Sequence, residues 1–533
     1  MHGAASAPEP EAVDAATEIL AAGGNAVDAA VACAMVQGVV DPPMCGIGGW
    51  GTLQVYAPDH GAHTCLDFYA TAPAASRPDQ WANRLTGETR DGWGFLVENH
   101  ENELGWRAVA TPGSMAGLGE VHARYGSMPW SELLQPAIAY ARGGFPVRPH
   151  FFNFLVGEGT QGRAAQRDKM RFSETGRRLY YRPDGSALPV GSMVKNPDIA
   201  DTLDRLARHG VADFYRGDLA REMAEEFRRQ DALITFEDLA NYRVVEREPV
   251  RTRYRGLDLT TNYAPGGGLV LALMLGILER FDLSAQEHNS VDYISLISSA
   301  MRYATAQKDG QLGDPEFFDI DPDVFLSPEV FDAVAARIRA GETFPVDRLE
   351  PETLNTTHFS IMDERGMSIG MTHSLGMVSG ATVPGMGFMF NGAMGVFDPR
   401  PGRPGSIAPG KRRYTSACPT IVFRDGRPEI VVGAPGAAHI AGSVMQTLVN
   451  MIDFGMTAQE AVQAPRISAT SNAIDIVNRI PRRVQRGLEA RGYTVVRNAR
   501  SHTFAQVHSV MRDAQGRWSG GADPSSDGVV LMA

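Results

Sequence analysis

The chain changes character near residue 350, and this change constrains its fold more than any single motif. Before that point, apolar residues recur at i, i+3 and i+4 over 11–20, 26–37, 130–142, 199–209, 219–230, 269–281 and 291–308, which predicts helices. Gly23-Gly24 separates the first two, a natural stop and restart. Asp41-Pro42-Pro43 then breaks the chain ahead of an alternating run, 52–56, that reads as a strand. After residue 350, short runs at 359–362, 367–371, 420–423 and 429–432 read as strands joined by Gly or Asp-Gly turns. Helices at 441–453 and 458–464 and further strand-like segments follow. A helix-rich first part and a strand-rich second, with strands at both ends, fit a layered α/β or α+β body. The stretch 399–409 is the most loop-like, 342–355 is the expected exposed connection, and no internal repeat is visible.

Size and charge narrow the class. At roughly 150 residues per domain, 533 residues correspond to about three or four domains and allow a large core. With 50 Lys and Arg against 62 Asp and Glu, the formal charge of −12 argues against a nucleic-acid partner, whose phosphates need clustered cations. The longest apolar stretch, 269–278, is short of the roughly 20 residues that span a bilayer, so no membrane partner is expected. The opening MHGAASAPEPEAVDAA carries acids and two prolines where a signal peptide has a basic start and an apolar run, so a cytoplasmic location is expected. Cys33, Cys45, Cys65 and Cys418 form no CxxC, so neither a disulfide framework nor a zinc ribbon is indicated. A globular enzyme or binding protein remains.

Several common motifs carry little. Gly46, Gly48 and Gly51 satisfy GxGxxG, but a Pro-Pro break precedes them and a strand follows, the reverse of a dinucleotide site; a tight turn is the better reading. His60 and His63 sit in a turn-rich stretch without an acidic ligand pattern, and HExxH and GxSxG are absent. No metal and no cofactor are expected. Lys411-Arg412-Arg413 has the charge of an anion clamp, though basic residues in a loop are more often solvated.

The informative segment is Leu354-Asn355-Thr356-Thr357-His358-Phe359-Ser360, followed in order by Pro419-Thr-Ile-Val422, Gly433-Ala-Pro-Gly436, Asp453-Phe-Gly-Met456 and Ala464-Pro-Arg466. Together these resemble the small subunit of the γ-glutamyltranspeptidase family, which belongs to the N-terminal-nucleophile hydrolases. The first half agrees, with Gly23-Gly-Asn-Ala-Val-Asp-Ala-Ala30, Gly46-Ile-Gly-Gly49, Thr111-Pro-Gly-Ser-Met-Ala-Gly117, Tyr125-Gly126, Pro129-Trp130 and Leu312-Gly-Asp-Pro315. The resemblance implies an α+β fold, a four-layer αββα sandwich. It also implies a precursor that cuts itself between Asn355 and Thr356. The large piece 1–355 and the small catalytic piece 356–533 then pair as one composite domain, with further homo-oligomers allowed. The substrate is a small-molecule amide.

The chemistry the resemblance implies is physically coherent. A threonine hydroxyl is a weak nucleophile without a base, and cleavage supplies one, the α-amine of Thr356, whose ordinary pKa is roughly 8. Ser374 occupies the place of a family threonine that hydrogen-bonds near the nucleophile, keeping the hydroxyl without the methyl. Gly436 and Ala437 align with the glycine pair whose N–H groups form the oxyanion hole. Thr415 and Ser416 align with serines that hold the substrate carboxylate. The departures concern recognition: Tyr69 stands where γ-glutamyl enzymes have an arginine, and Val396 where they have an aspartate. Gly376 and Ala393 replace supporting amides. An arginine–carboxylate contact in a partly dry pocket is worth about 1.5–3 kcal/mol and its ammonium counterpart is similar. Losing both weakens a γ-glutamyl group by a factor of hundreds or more. Tyr69, Val396 and Met377 instead indicate a more apolar acyl pocket. The leading expectation is a self-processing N-terminal-threonine amidohydrolase or acyltransferase on a substrate other than a plain γ-glutamyl amide. One alternative is a genuine γ-glutamyltransferase or glutathione hydrolase in which Arg412 or Arg413 replaces the missing cation. The other is an unprocessed, non-catalytic binding protein.

Overall fold

The computed structural model describes residues 2–88, 94–159, 162–346, 356–499 and 504–533. Asn355, the expected residue before the cut, lies outside the described residues. Two sheets organise the molecule. Their strands are β1 (Gly3–Ala7), β2 (Trp50–Ala57), β3 (Ala62–Phe68), β4 (Val245–Arg247), β5 (Val250–Tyr254), β6 (Leu257–Thr261), β7 (Thr357–Asp363), β8 (Ser368–Ser374), β9 (Thr420–Arg424), β10 (Arg427–Gly433), β11 (His508–Arg512), β12 (Trp518–Ala522) and β13 (Val529–Met532). The first sheet runs β13-β1-β7-β8-β2-β3-β4 and the second β12-β11-β10-β9-β6-β5. Each sheet combines strands from both sides of residue 356, so neither flanking piece holds a complete sheet.

Period-two alternation explains how the layers stack. Along β7, Phe359 and Ile361 join the core shared with helices α1 (Pro10–Ala21) and α2 (Ala26–Val40). The intervening Met362 packs with Ile421, Val431 and Val510 of the second sheet. The same face holds Ser360, whose hydroxyl donates to the His508 carbonyl at 3.1 Å, and His358, whose ring fills the space a Cβ at Gly433 would take. Helices α3 (Gly268–Leu278), α4 (Val291–Gln311) and α5 (Ile440–Ile452) form the outer layer over the second sheet. The order of layers is helix, sheet, sheet, helix, as the resemblance implied.

Local chemistry accounts for the helix boundaries. Asn25 caps α2 through Val27 and Asp28 while Asp28 reaches back to the Asn25 N–H, a reciprocal box that starts this buried helix directly after the Gly-Gly stop. The helix expected over 130–142 is two, Trp130–Leu133 and Gln135–Gly143, because Pro136 removes an N–H and crowds the preceding turn. The described part of 342–355 also departs from expectation. Phe344 and Val346 are buried: Phe344 packs on Tyr303, and the Val346 N–H donates to the Asn472 side chain at 2.8 Å. Phe344 and Val346 hold this end of the connection to the body, while Glu342, Thr343 and Pro345 are exposed.

Candidate active site

The site grows out of strand register. Thr357 pairs with His373, Ser374 with Trp50 and Gly51 with Phe68. Carrying the ladder one residue further sets Thr356, Ser374, Trp50 and Tyr69 in one row across four strands. Directly opposed residues share a face, so this row faces the second sheet. The alternate residues confirm the assignment: Thr357 and His373 face the helices, where Gln37 donates to Thr357 Oγ1 at 3.0 Å and meets the His373 ring at 2.8 Å.

Within the row, Thr356 Oγ1 and Ser374 Oγ are 3.1 Å apart. The Gly376 N–H donates to Ser374 Oγ at 2.6 Å. Both hydroxyls are buried, Thr356 being 9% exposed. The glycines of the GxGxxG stretch serve this packing: a Cβ at Gly49 would stand 2.4 Å from the Ser374 carbonyl, and one at Gly51 2.7 Å from that of Thr372.

Facing the row, the second sheet ends in Gly433, and the chain turns through Pro435, Gly436 and Ala437 into α5. Gly436 has φ of 148° and Ala437 φ of 46°. Among the described residues, the N–H groups of Gly436 and Ala437 donate to no acceptor. Two adjacent undonated N–H groups at a helical N-terminus attract negative charge.

The remaining expected residues fall into two groups. Tyr69 is 1% exposed, with its ring against Trp50 at 5.6 Å and its hydroxyl accepting from Asn262 Nδ2 at 3.3 Å. Burial first, and Asp67 second, push that hydroxyl well above its ordinary pKa. Asn262 also donates to the Ala417 carbonyl at 3.0 Å, joining Tyr69 to the Thr415-Ser416 segment. Both residues of that segment are buried, and Thr415 Oγ1 accepts from the Ala417 N–H at 3.2 Å. Trp50 stands between Tyr69 and the hydroxyl pair, so Tyr69 does not adjoin Thr356.

Val396 and Met377 belong to the second group, an apolar cluster shared with Ala437 and Phe504. The Arg413 Nε–H donates to the Val396 carbonyl. Arg412 lies elsewhere: its Nη1 is 3.2 Å from Glu316, and its backbone N–H donates to Asp314 at 2.8 Å. Ala393 donates its N–H to Asn391 Oδ1 at 3.1 Å, so an amide side chain does support this turn, two residues before the expected position.

Beneath Thr357, on the helix side, lies Glu9. Thr357 Oγ1 donates to one of its oxygens at 2.8 Å and Gln37 to the other at 2.5 Å. Burial, with Asp41 nearby, raises Glu9 to about 8. Burial lowers His373 to about 3 and holds His358 well below its ordinary value, so both rings are neutral. Among the described residues, no cluster of His, Cys, Asp and Glu is arranged to hold a metal ion.

A buried hydroxyl at the head of a central strand in an αββα sandwich is the architecture of the N-terminal-nucleophile hydrolases. The family profile described as gamma-glutamyltranspeptidase matches residues 12–533, and the chain belongs to that family of hydrolases and acyltransferases. It is 34% identical over 529 residues to an acylase ACY 1 proenzyme of a Pseudomonas species (strain V22), covering 98% of this chain and 92% of the relative. It is 33% identical over 552 residues to a glutathione hydrolase proenzyme of Pseudomonas aeruginosa, covering 99% and 94%. Its fold matches the crystal structure of a cephalosporin acylase from Bacillus halodurans with a TM-score of 0.88 and 27% identity, over 99% of this chain and 95% of that one. The non-catalytic alternative is set aside: the chain is an enzyme of this class.

Trp50, Asn262 and Glu9 were not singled out in the sequence. Trp50 adjoins the Gly46–Gly49 signature, but its place opposite Ser374 follows only from a pairing across more than 300 residues.

Proposed function

We propose that the chain cuts itself before Thr356 and then cleaves amides through an acyl-enzyme on the Thr356 hydroxyl. The contact between Thr356 and Ser374 carries this reading: a second buried hydroxyl holds the Thr356 oxygen at the residue directly before the strand. In the precursor, Thr356 Oγ attacks the carbonyl carbon of residue 355, the C–N bond breaks, and the resulting ester is hydrolysed. This frees the Thr356 amine. In turnover that amine takes the hydroxyl proton as Oγ attacks the substrate carbonyl and passes it to the leaving amine. The Gly436 and Ala437 N–H groups hold the oxyanion, and water or an acceptor amine releases the acyl group. The proenzyme relatives support a two-piece product. The interleaved sheets provide the physical reason that the pieces 1–355 and 356–533 stay together.

The acyl group is inferred to be less charged than γ-glutamyl, since Tyr69, Val396 and Met377 offer it no fixed charge. A γ-glutamyl substrate is the second reading, and Arg413 at the Val396 carbonyl is the observation that favours it; Arg412 is committed to Asp314 and Glu316. Intact mass should show two pieces split before Thr356, and Thr356→Ala should stay whole and inactive. A fully active Thr356→Ala would sink the mechanism. Comparing a γ-glutamyl anilide with simple acyl anilides separates the two substrate readings, and strong preference for the former would overturn the first. On location, four buried, unpaired cysteines fit the reducing cytoplasm, which cell fractionation tests.

A further inference from the structure

Trp50 has three properties that the proposed chemistry does not use. It lies directly opposite Ser374 on the face that carries Thr356, so its side chain borders the hydroxyl pair. It is 6% exposed, and its Nε1–H is buried with no acceptor among the described residues. That nitrogen lies against Gly376, 3.0 Å from where a Cβ would stand, so only a residue without a side chain keeps the space beside it open. Gly376 has φ of 71°, a conformation that glycine adopts without strain. Behind the indole, Tyr69 packs at 5.6 Å and is itself held by Asn262, which fixes the ring from its far side.

A buried tryptophan normally finds a partner for its N–H, because an unmade hydrogen bond there costs the full desolvation of the donor. Here the ring is packed, yet its donor meets no acceptor among the described residues, against the glycine whose own N–H holds Ser374. An aromatic face with one neutral donor suits an uncharged acceptor on a planar group.

We propose that Trp50 determines acyl specificity: its Nε1–H donates to a neutral oxygen on the acyl group carried by Thr356, and its ring packs against an aromatic part of that group. The substrates are therefore amides of aryl-containing acids with an ether or carbonyl oxygen. This rests on the acyl-enzyme reading above and names its substrate class.

The test uses 4-nitroanilides in two oxygen/methylene pairs on processed protein: phenoxyacetyl against 3-phenylpropanoyl, and 4-methoxyphenylacetyl against 4-ethylphenylacetyl. The pairs set the oxygen near to and far from the acyl carbon at nearly constant shape. Wild type should favour the oxygen member of one pair by about 3- to 10-fold in kcat/KM, the range of one neutral hydrogen bond. Trp50→Phe, which keeps a ring and removes the donor, should cut that ratio by about 3- to 10-fold, lowering the oxygen member by that much more than the methylene member. Complete self-cleavage of Trp50→Phe by intact mass reports that it folds. If it fails to cut, Gly376→Ala gives the same ratio test, because its Cβ would push the indole away. No preference in either pair, or a preference that survives both variants, overturns the role of Trp50 but not the acyl-enzyme. A wild type that cuts itself and accepts only the γ-glutamyl anilide also overturns it. A wild type that neither cuts nor hydrolyses any anilide overturns the function as well.

Discussion

Gly436→Ala offers the sharpest test of the oxyanion site, because the structure dictates both its direction and its size. A Cβ at Gly436 would stand 2.3 Å from Ala505 Cβ and 2.6 Å from Ala505 Cα. Ordinary carbon contacts are about 3.5–4 Å, so backbone must move by roughly 1 Å. The native φ of 148° adds strain that an alanine cannot relieve in place. That movement swings the Gly436 N–H away from its aim. Loss of one oxyanion donor costs about 10²–10³ in kcat, or about 2.7–4 kcal/mol of transition-state stabilisation. The ground state feels it little, so KM should stay within a few-fold. Steady-state kinetics of processed Gly436→Ala on a turned-over 4-nitroanilide, with intact mass to score self-cleavage, reads both. Ala437 is the internal control. It sits at φ of 46° and donates the neighbouring N–H, so Ala437→Gly relieves strain and keeps the donor. It should retain kcat and not lower Tm, whereas alanine-to-glycine elsewhere costs about 0.5–1 kcal/mol. A folded Gly436→Ala with kcat within 3-fold of wild type would refute the assignment of these N–H groups.

Three further outcomes are expected. Ser374→Ala removes the partner of Thr356 Oγ1 and should lower kcat by about 10-fold and slow self-cleavage, read by stopped kinetics and mass. His358, His373 and His508 are buried, with His373 lowered to about 3, His508 to about 4 and His358 well below its ordinary value. Below pH ~6.5 the unfolded chain takes protons that the fold refuses, so stability is full above that pH and falls by about 1.4 kcal/mol per unit per histidine as pH drops. A denaturant midpoint that is flat from pH 7 to 5 would contradict this. Glu9, raised to about 8, has the opposite sign: the fold keeps a proton that the unfolded chain has released, so its contribution is full below pH ~4.5 and is lost as pH rises to 8. Glu9→Gln should therefore gain roughly 3 kcal/mol over wild type at pH 8 relative to pH 5, measured by urea unfolding.

What could be read in the sequence follows from the range of each interaction. The short apolar, β-branched runs over 359–362 and 429–432 mark strands because that signal is local. Thr356 and Ser374 were found through ordered motifs, since nothing in the spacing of two hydroxyls eighteen residues apart announces contact. Trp50 could not be recognised, because its place depends on pairing with Ser374 and stacking on Tyr69 at once. Glu9 sits in an opening whose acids and prolines speak only against a signal peptide, yet the turn into α1 carries it beneath Thr357. Arg412 and Arg413 are equivalent as a basic run; only the fold shows that Asp314 and Glu316 neutralise one while the other reaches Val396.

The same geometry explains why a new chain end could work as a catalytic base. A free terminus normally frays, and a frayed amine would lose the alignment that makes it useful. Here the strand is held from its second residue. Thr357 pairs with His373 on one side and bonds Glu9 and Gln37 below, while β1 binds the other edge from Ser360 onward. Thr356 therefore swings on a single residue, and Ser374 limits that swing from above. The burial of Glu9 is the corollary: a neutral acid can both accept and donate there, so the anchor forms without setting a bare negative charge beside the nucleophile. An alkaline loss of activity that tracks deprotonation of Glu9 and vanishes in Glu9→Gln would show the anchor acting on the chemistry as well as on the fold.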